Sequence, residues 1–402
     1  MIPKTEISTA AADPRGGRLT GLLIVGIFLV GADNMLVAAI APQIARTLQV
    51  ATGRVTLAIT LYALFYGVCA PFVAPLSERL GRRMALAIFG LGFSFSNILV
   101  SLASNIWILY AGRILSGLFA GGMGPNLWAM VGDFFAKGKA RKVTSWMMSA
   151  FSLSTVLGTP IAILAAARFG WRAIFALIAA LVAFSAAALA LALSPKRKRT
   201  GSNKENGTLK RLLSTLCAHW RWYLAILLSS AAYMGIYGIL PSYLSDYLCI
   251  PSGAVSLALF VIGISGFAGS LLVSFLFHGT SSQRLTRWSW GIVMLFAWLV
   301  AVPFIHENSL MLTILFAVWN LCSTLGNTAF VATLGERAHG ERTRAMALNN
   351  TSIFLGFFIG SGYGSFITSH SFIRFIFVAI VSAILAIGAW ITYAWAARSA
   401  AM

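Results

Sequence analysis

Apolar runs long enough to cross a bilayer recur along this chain, separated by charged residues and by Pro and Gly clusters. A hydrocarbon core about 30 Å thick needs roughly 20 apolar residues per helix. Twelve runs meet that length, at 19–44, 55–75, 84–104, 107–133, 143–167, 172–193, 220–245, 253–277, 288–305, 309–335, 345–368 and 372–397. Backbone groups in lipid must be satisfied within their own segment, so each run predicts an α-helix. Between the sixth and seventh lies SPKRKRTGSNKENGTLKRLL, the longest polar stretch, whose Ser, Gly, Asn and Lys content predicts a flexible linker. The pattern therefore predicts an all-α membrane protein of two six-helix bundles, 1–195 and 219–402, joined by a linker at 196–218. A six-plus-six arrangement is expected of a duplicated transporter fold.

Composition agrees with this pattern and excludes a cytosolic enzyme: 59% of residues are hydrophobic, 10% are charged, and the mean hydropathy is +0.84. The net charge of +20 could be mistaken for a nucleic-acid footprint. Sorting the 30 Lys and Arg residues by loop gives another reason for it. One side collects 24, the other holds Arg46, Arg54, Arg168, Arg172 and Arg374, and Arg113 alone falls inside a span. By the positive-inside rule the termini and linker are cytoplasmic, in a bacterial-type inner membrane, and no nucleic-acid partner is needed. The polar start, MIPKTEISTAAADPRGGR, leads into a long apolar run without a small-residue cleavage site, which reads as a retained span rather than a signal peptide.

No cofactor or metal is expected. Cys69, Cys217, Cys249 and Cys322 are isolated, with no CxxC and no His at ligand spacing. The five His fall near helix ends or in loops, and the glycines of GFAGS and GLFAGG lie inside spans, where they favour helix packing over phosphate binding. Trp288, Trp290, Trp390 and Trp395 lie near helix ends and are expected in an interfacial belt.

The loop between spans two and three reads APLSERLGRRMAL. It resembles the cytoplasmic loop signature of the major facilitator superfamily, with Glu78, Arg79, Gly81, Arg82 and Arg83 in matching positions. Ala74 stands where Gly is usual, and Glu78 replaces Asp. An acid, a tight turn and two arginines can cap neighbouring helices and pair with carboxylates. The resemblance implies Asp133, at the end of span four, as the partner acid. Arg113 and Gly117 match the family's Arg-x-x-x-Gly in span four. Gly158 and Pro160 resemble the kink motif of antiporters, although Ala162 and apolar neighbours replace the glycines usual after the Pro. Asp33, nine residues before Pro42, resembles the first helix of drug:proton antiporters. Together these features resemble the twelve-helix drug:proton antiporter and sugar-efflux (arabinose efflux permease-like) families. They imply a monomer of the major facilitator fold that exports a small organic molecule.

The acids supply the mechanism. Of ten Asp and Glu residues, nine fall in loops, tails or helix ends, and only Asp33 lies within a span. A carboxylate there must be neutral, paired or facing a cavity. Arg113 is its most plausible partner. Near Arg113 the carboxyl is ionised, and away from it burial favours the protonated form, so protonation follows conformation. A static salt bridge joining helices one and four stands beside this reading. One proton exchanged for a neutral substrate moves one charge, about 2.3 kcal/mol per 100 mV, enough for roughly a fiftyfold gradient.

Polar and aromatic residues expected to line a cavity are Asn34, Tyr62, Tyr66, Tyr233, Tyr237, Asn320, Asn327, Asn349 and Asn350. Each tyrosine pair is four residues apart and shares a helix face. Interhelical hydrogen bonding explains them equally well. The expected partners are protons, membrane lipids and a substrate that is a drug, a sugar-like compound, a metabolite or a siderophore. A proton-coupled importer or facilitator is the nearest alternative. A membrane enzyme would need paired acids, His or Cys near an interface, which the spans lack. A non-transporting sensor would not need Asp33 and Arg113.

Overall fold

A computed structural model describes residues 14–135, 137–192, 208–276, 290, 309–337, 342–367 and 372–399. Eleven long helices run through them. They are α1 (Pro14–Leu48), α2 (Thr52–Leu80), α3 (Arg82–Ser101), α4 (Ile106–Phe134), α5 (Lys137–Phe169), α6 (Trp171–Ala192), α7 (Thr208–Tyr237), α8 (Ser252–Leu276), α9 (Ser309–Arg337), α10 (Arg342–Ile367) and α11 (Phe372–Ser399). A short helical turn, Leu240–Ser242, and a π-helical turn, Tyr243–Tyr247, follow α7. No strand occurs among the described residues. The helices coincide with eleven of the twelve expected spans. The ninth, 288–305, lies outside the described residues except for Trp290.

Local chemistry sets the ends. Asn105 caps α4, its side chain accepting the Ile108 amide at 3.0 Å. Gly81 joins α2 to α3 at φ 80°, ψ 147°, a conformation that disfavours any residue with a Cβ. Residues 208–218, expected in the linker, begin α7, whose backbone leaves helical geometry at His219 (φ −124°, ψ 22°).

Among the described residues ten helices are long and apolar enough to cross a membrane, and large side chains such as Phe95, Phe184, Leu191 and Ile384 stand exposed where lipid would cover them. The exception is α10, whose Asn349, Asn350 and Ser352 lower its apolarity. It packs between α7 and α2, so protein rather than lipid receives much of its surface.

Helices α1–α6 form one half, with α2 on α4 and α3 on α4 and α6, while α7 packs on α10 and α11 in the other. Contacts between α8 and α9 advance together: Ile262 meets Asn320, and Gly269 meets Leu321 and Thr324. These helices therefore run parallel, as the eighth and tenth of twelve spans should.

The halves meet along two seams, α2 against α10 and α5 against α8. In the first, Thr60 donates to Ser361 at 2.8 Å and the Gly67 position faces Phe354 and Leu355. In the second, Ser256 donates to the Pro160 carbonyl at 3.1 Å, and a Cβ on Gly263 would lie 2.9 Å from Val156 Cα. A third contact joins Arg46 to Asp246 at 3.5 Å, with Thr52 donating to the same carboxylate at 3.3 Å. These contacts run from mid-helix to the face where α1 ends and α2 begins, so that face is closed.

Trp290 departs from its expected interfacial place. It is buried, with its ring 5.6 Å from Phe330 and 5.4 Å from Tyr393. Helix-end position alone did not reveal that these rings converge from three segments.

Candidate functional site

Asp33 lies on α1 where its backbone approaches α5: Ala32 is 3.6 Å from a Cβ placed on Gly158. Arg113 lies on α4. Its NH1 group donates to both carboxylate oxygens of Asp33, at 3.1 and 3.0 Å, and NH2 reaches the Asp33 carbonyl at 3.4 Å. Neither side chain has any solvent exposure. The guanidinium carbon sits 4.3 Å above the centroid of the Tyr62 ring, which is also fully buried. The Arg113 Nε group and the Tyr62 hydroxyl have no hydrogen-bond partner among the described residues. Two opposite charges are thus buried in direct contact, an arrangement that leaves either one costly if its partner is removed.

Gly117, one turn beyond Arg113, lets α4 approach α2. A Cβ there would collide with the Tyr62 carbonyl, and one on Gly121 would lie 2.9 Å from the Tyr66 carbonyl. Tyr66 in turn stacks on Phe354 and has Asn350 beside its hydroxyl. The tyrosines expected along a cavity on α2 thus adjoin the ion pair and the seam.

The loop motif is placed in part. Arg82 donates to Ser77 Oγ and to Asn126 Oδ1, both at 2.9 Å, and Ser77 also bonds Asn126. The motif's arginine therefore ties the end of α2 to α4. Asn126 was absent from the sequence reading, because a lone Asn after Pro125 carries no spacing signal. Arg83 is exposed. The side chains of Glu78, Arg79 and Asp133 lie outside the described residues.

Around Pro160, the close approach of α5 and α8 uses Gly263 of α8 in place of glycines after the proline. Tyr237 adjoins Thr159. Tyr233 stacks between Tyr237, at 5.3 Å, and Trp319, at 5.1 Å with planes 7° apart. Trp319, buried and missed by the sequence reading, borders a small cavity with Ser229, Ser323 and Ser382. Asn320 donates to the Ile262 carbonyl at 2.7 Å, an interhelical bond, and Asn327 accepts from Ser229 at 3.4 Å. Asn34 and Asn349 are buried. No cluster of three or more potential metal ligands occurs among the described residues.

The profile of the Major Facilitator Superfamily matches residues 23–338 and 222–401. The chain belongs to this superfamily. It is 24% identical over 345 residues to the uncharacterized MFS-type transporter YwfA of Bacillus subtilis, covering 84% of this chain and 82% of that one. It is 25% identical to a chloramphenicol resistance protein of Streptomyces lividans, over 83% of this chain and 85% of that one. Its fold matches a bacterial homologue of the human lysosomal transporter Spinster, solved inward-facing and unoccupied. That match has a TM-score of 0.75 and 13% identity, covering 96% of this chain and 98% of the other. The chain is accordingly a multi-pass membrane transporter of the major facilitator fold.

Proposed function

We propose that this transporter exports a small organic molecule in exchange for protons, acting as a monomer in a bacterial-type inner membrane with both termini cytoplasmic. The observation that carries the reading is the Asp33–Arg113 pair, enclosed between α1 and α4. Asp33 is the one fully buried acid among the described side chains. A carboxylate in that position is expensive for a membrane helix, and proton relay is a usual reason to keep one. With its charge matched by Arg113, the site favours neutral or anionic substrates over cations that would compete for the carboxylate. With cytoplasmic termini, the closed face is the outer one of an alternating-access cycle. The Streptomyces resistance protein supports outward transport and supplies a first compound to try.

Everted membrane vesicles from cells expressing the chain provide the test, with chloramphenicol as first probe and a panel of sugars, nucleosides and siderophores after it. An imposed inside-acid gradient should drive accumulation in the wild type. Asp33→Asn should abolish that accumulation while leaving substrate exchange at equal pH. Full coupled transport by Asp33→Asn would remove Asp33 from the mechanism, and accumulation only under the opposite gradient would make the protein an importer.

A further inference from the structure

Arg113 has two kinds of contact among the described residues: the carboxylate and carbonyl of Asp33, and the face of Tyr62. Proton uptake by Asp33 removes the countercharge but leaves the guanidinium, which stays ionised, inside a protein environment with no solvent exposure. Something other than water must then hold it. An aromatic face at 4.3 Å is suited to that task, because its electron-rich centre attracts a cation most strongly when no solvent or counter-ion screens it.

We propose that Tyr62 is a positioning residue of the proton-coupling site. Its ring holds Arg113 while Asp33 is protonated, and the α2 backbone transmits the rearrangement to the seam between the halves. The inference rests on Asp33 as coupling acid and adds a residue through which coupling runs.

The transmission has a physical basis in the glycines of α4. Gly117 and Gly121 place the helix carrying Arg113 against the Tyr62 and Tyr66 carbonyls, and a Cβ on Gly124 would lie 2.7 Å from the Tyr66 hydroxyl. With no spare volume between them, α4 and α2 shift together. Tyr66, one turn from Tyr62 with ring centroids 6.0 Å apart, lies against Phe354 and Asn350 of α10, across the seam. The path from carboxylate to seam is thus Asp33, Arg113, Tyr62, Tyr66 and Phe354.

The groups that could impose a pH dependence on Tyr62 are few. Asp33 of α1, Arg113 of α4 and Tyr66 of α2 are within electrostatic reach of it, and Cys69 adjoins Tyr66. From α10 the neighbours are Asn350 and Phe354, neither of which titrates. Helix α3 carries Arg82 and Arg83 at its start, beside the far end of α2 and about four turns from Tyr62.

The test needs no substrate. Spin labels at Leu102→Cys and Leu310→Cys, both exposed on the closed face but in different halves, report separation by electron–electron double resonance. The full chain is used, with its four native cysteines replaced by serine. In the parent, separation should change with pH, and Asp33→Asn should abolish the change. Tyr62→Phe, which keeps the ring, should titrate like the parent. Tyr62→Leu should move the midpoint to lower pH by about one unit, since a desolvated cation–π contact shifts an equilibrium about tenfold or more. Tyr62→trifluorophenylalanine keeps the volume but drains the ring's negative face, and should move the midpoint in the same direction even where Tyr62→Leu folds poorly. A purely structural tyrosine predicts no shift from fluorination, and that result overturns the inference while Asp33 keeps its role. Titration of Asp33→Asn like the parent overturns both readings.

Discussion

Tyr66 of α2 and Phe354 of α10, from different halves of the molecule, stack with ring centroids 3.7 Å apart and planes 17° apart. The contact lies near the middle of both helices. An aromatic pair contributes about 0.5–1.5 kcal/mol beyond its buried area. Phe354→Ala should therefore raise the population open on this face by roughly two- to twelvefold. Faster hydrogen exchange in peptides spanning 58–70 and 350–364 would report it, and unchanged exchange in both would place the closing energy elsewhere.

Gly117→Ala should destabilise the protein by about 1–3 kcal/mol, because the added methyl meets the Tyr62 carbonyl, which belongs to a helix and cannot turn aside. Gly21→Ala is the matched control, since nothing lies within 4 Å of its Cβ and alanine is the better helix former. Thermal unfolding in detergent should show a lowered midpoint for the first and an equal or raised one for the second.

Removing one member of the buried pair should cost more than removing both. Arg113→Met leaves Asp33 without its countercharge, and loss of one partner from a buried pair typically costs about 3–5 kcal/mol. Asp33→Leu with Arg113→Met should recover most of that stability, because two apolar side chains require no compensation. Proton-dependent movement should stay absent in the double variant. A double variant no more stable than Arg113→Met would mean that packing, rather than charge, sets the cost.

The Arg46–Asp246 contact should be a weak latch. The Arg46 side chain is 75% exposed and that of Asp246 19%, so solvent screens most of the attraction, leaving about 0–1 kcal/mol. Asp246→Ala should open the face by no more than about fivefold. Raising the salt concentration should open the wild type slightly and leave Asp246→Ala unmoved. Spin-label separations measured across a salt series distinguish this from a contact that dominates closure.

Span length and loop charge identified a helical membrane protein, because lipid leaves the backbone few other solutions. The same reasoning singled out Asp33 and Arg113: an ionised group in a span is costly wherever it points, so sequence alone marks it. Sequence did not show what surrounds the pair. Tyr62 read as cavity lining because its spacing from Tyr66 gives a shared face but not the neighbour on that face, which α4 supplies through Gly117. Asn126, Trp319 and the burial of Trp290 were illegible for the same reason. Each takes its role from a helix distant in sequence: Asn126 from Arg82, Trp319 from Tyr233, and Trp290 from Phe330 and Tyr393. Solvent preference is a property of each residue and is written in the chain. The choice of partner depends on how the helices pack, and only the tertiary structure decided it.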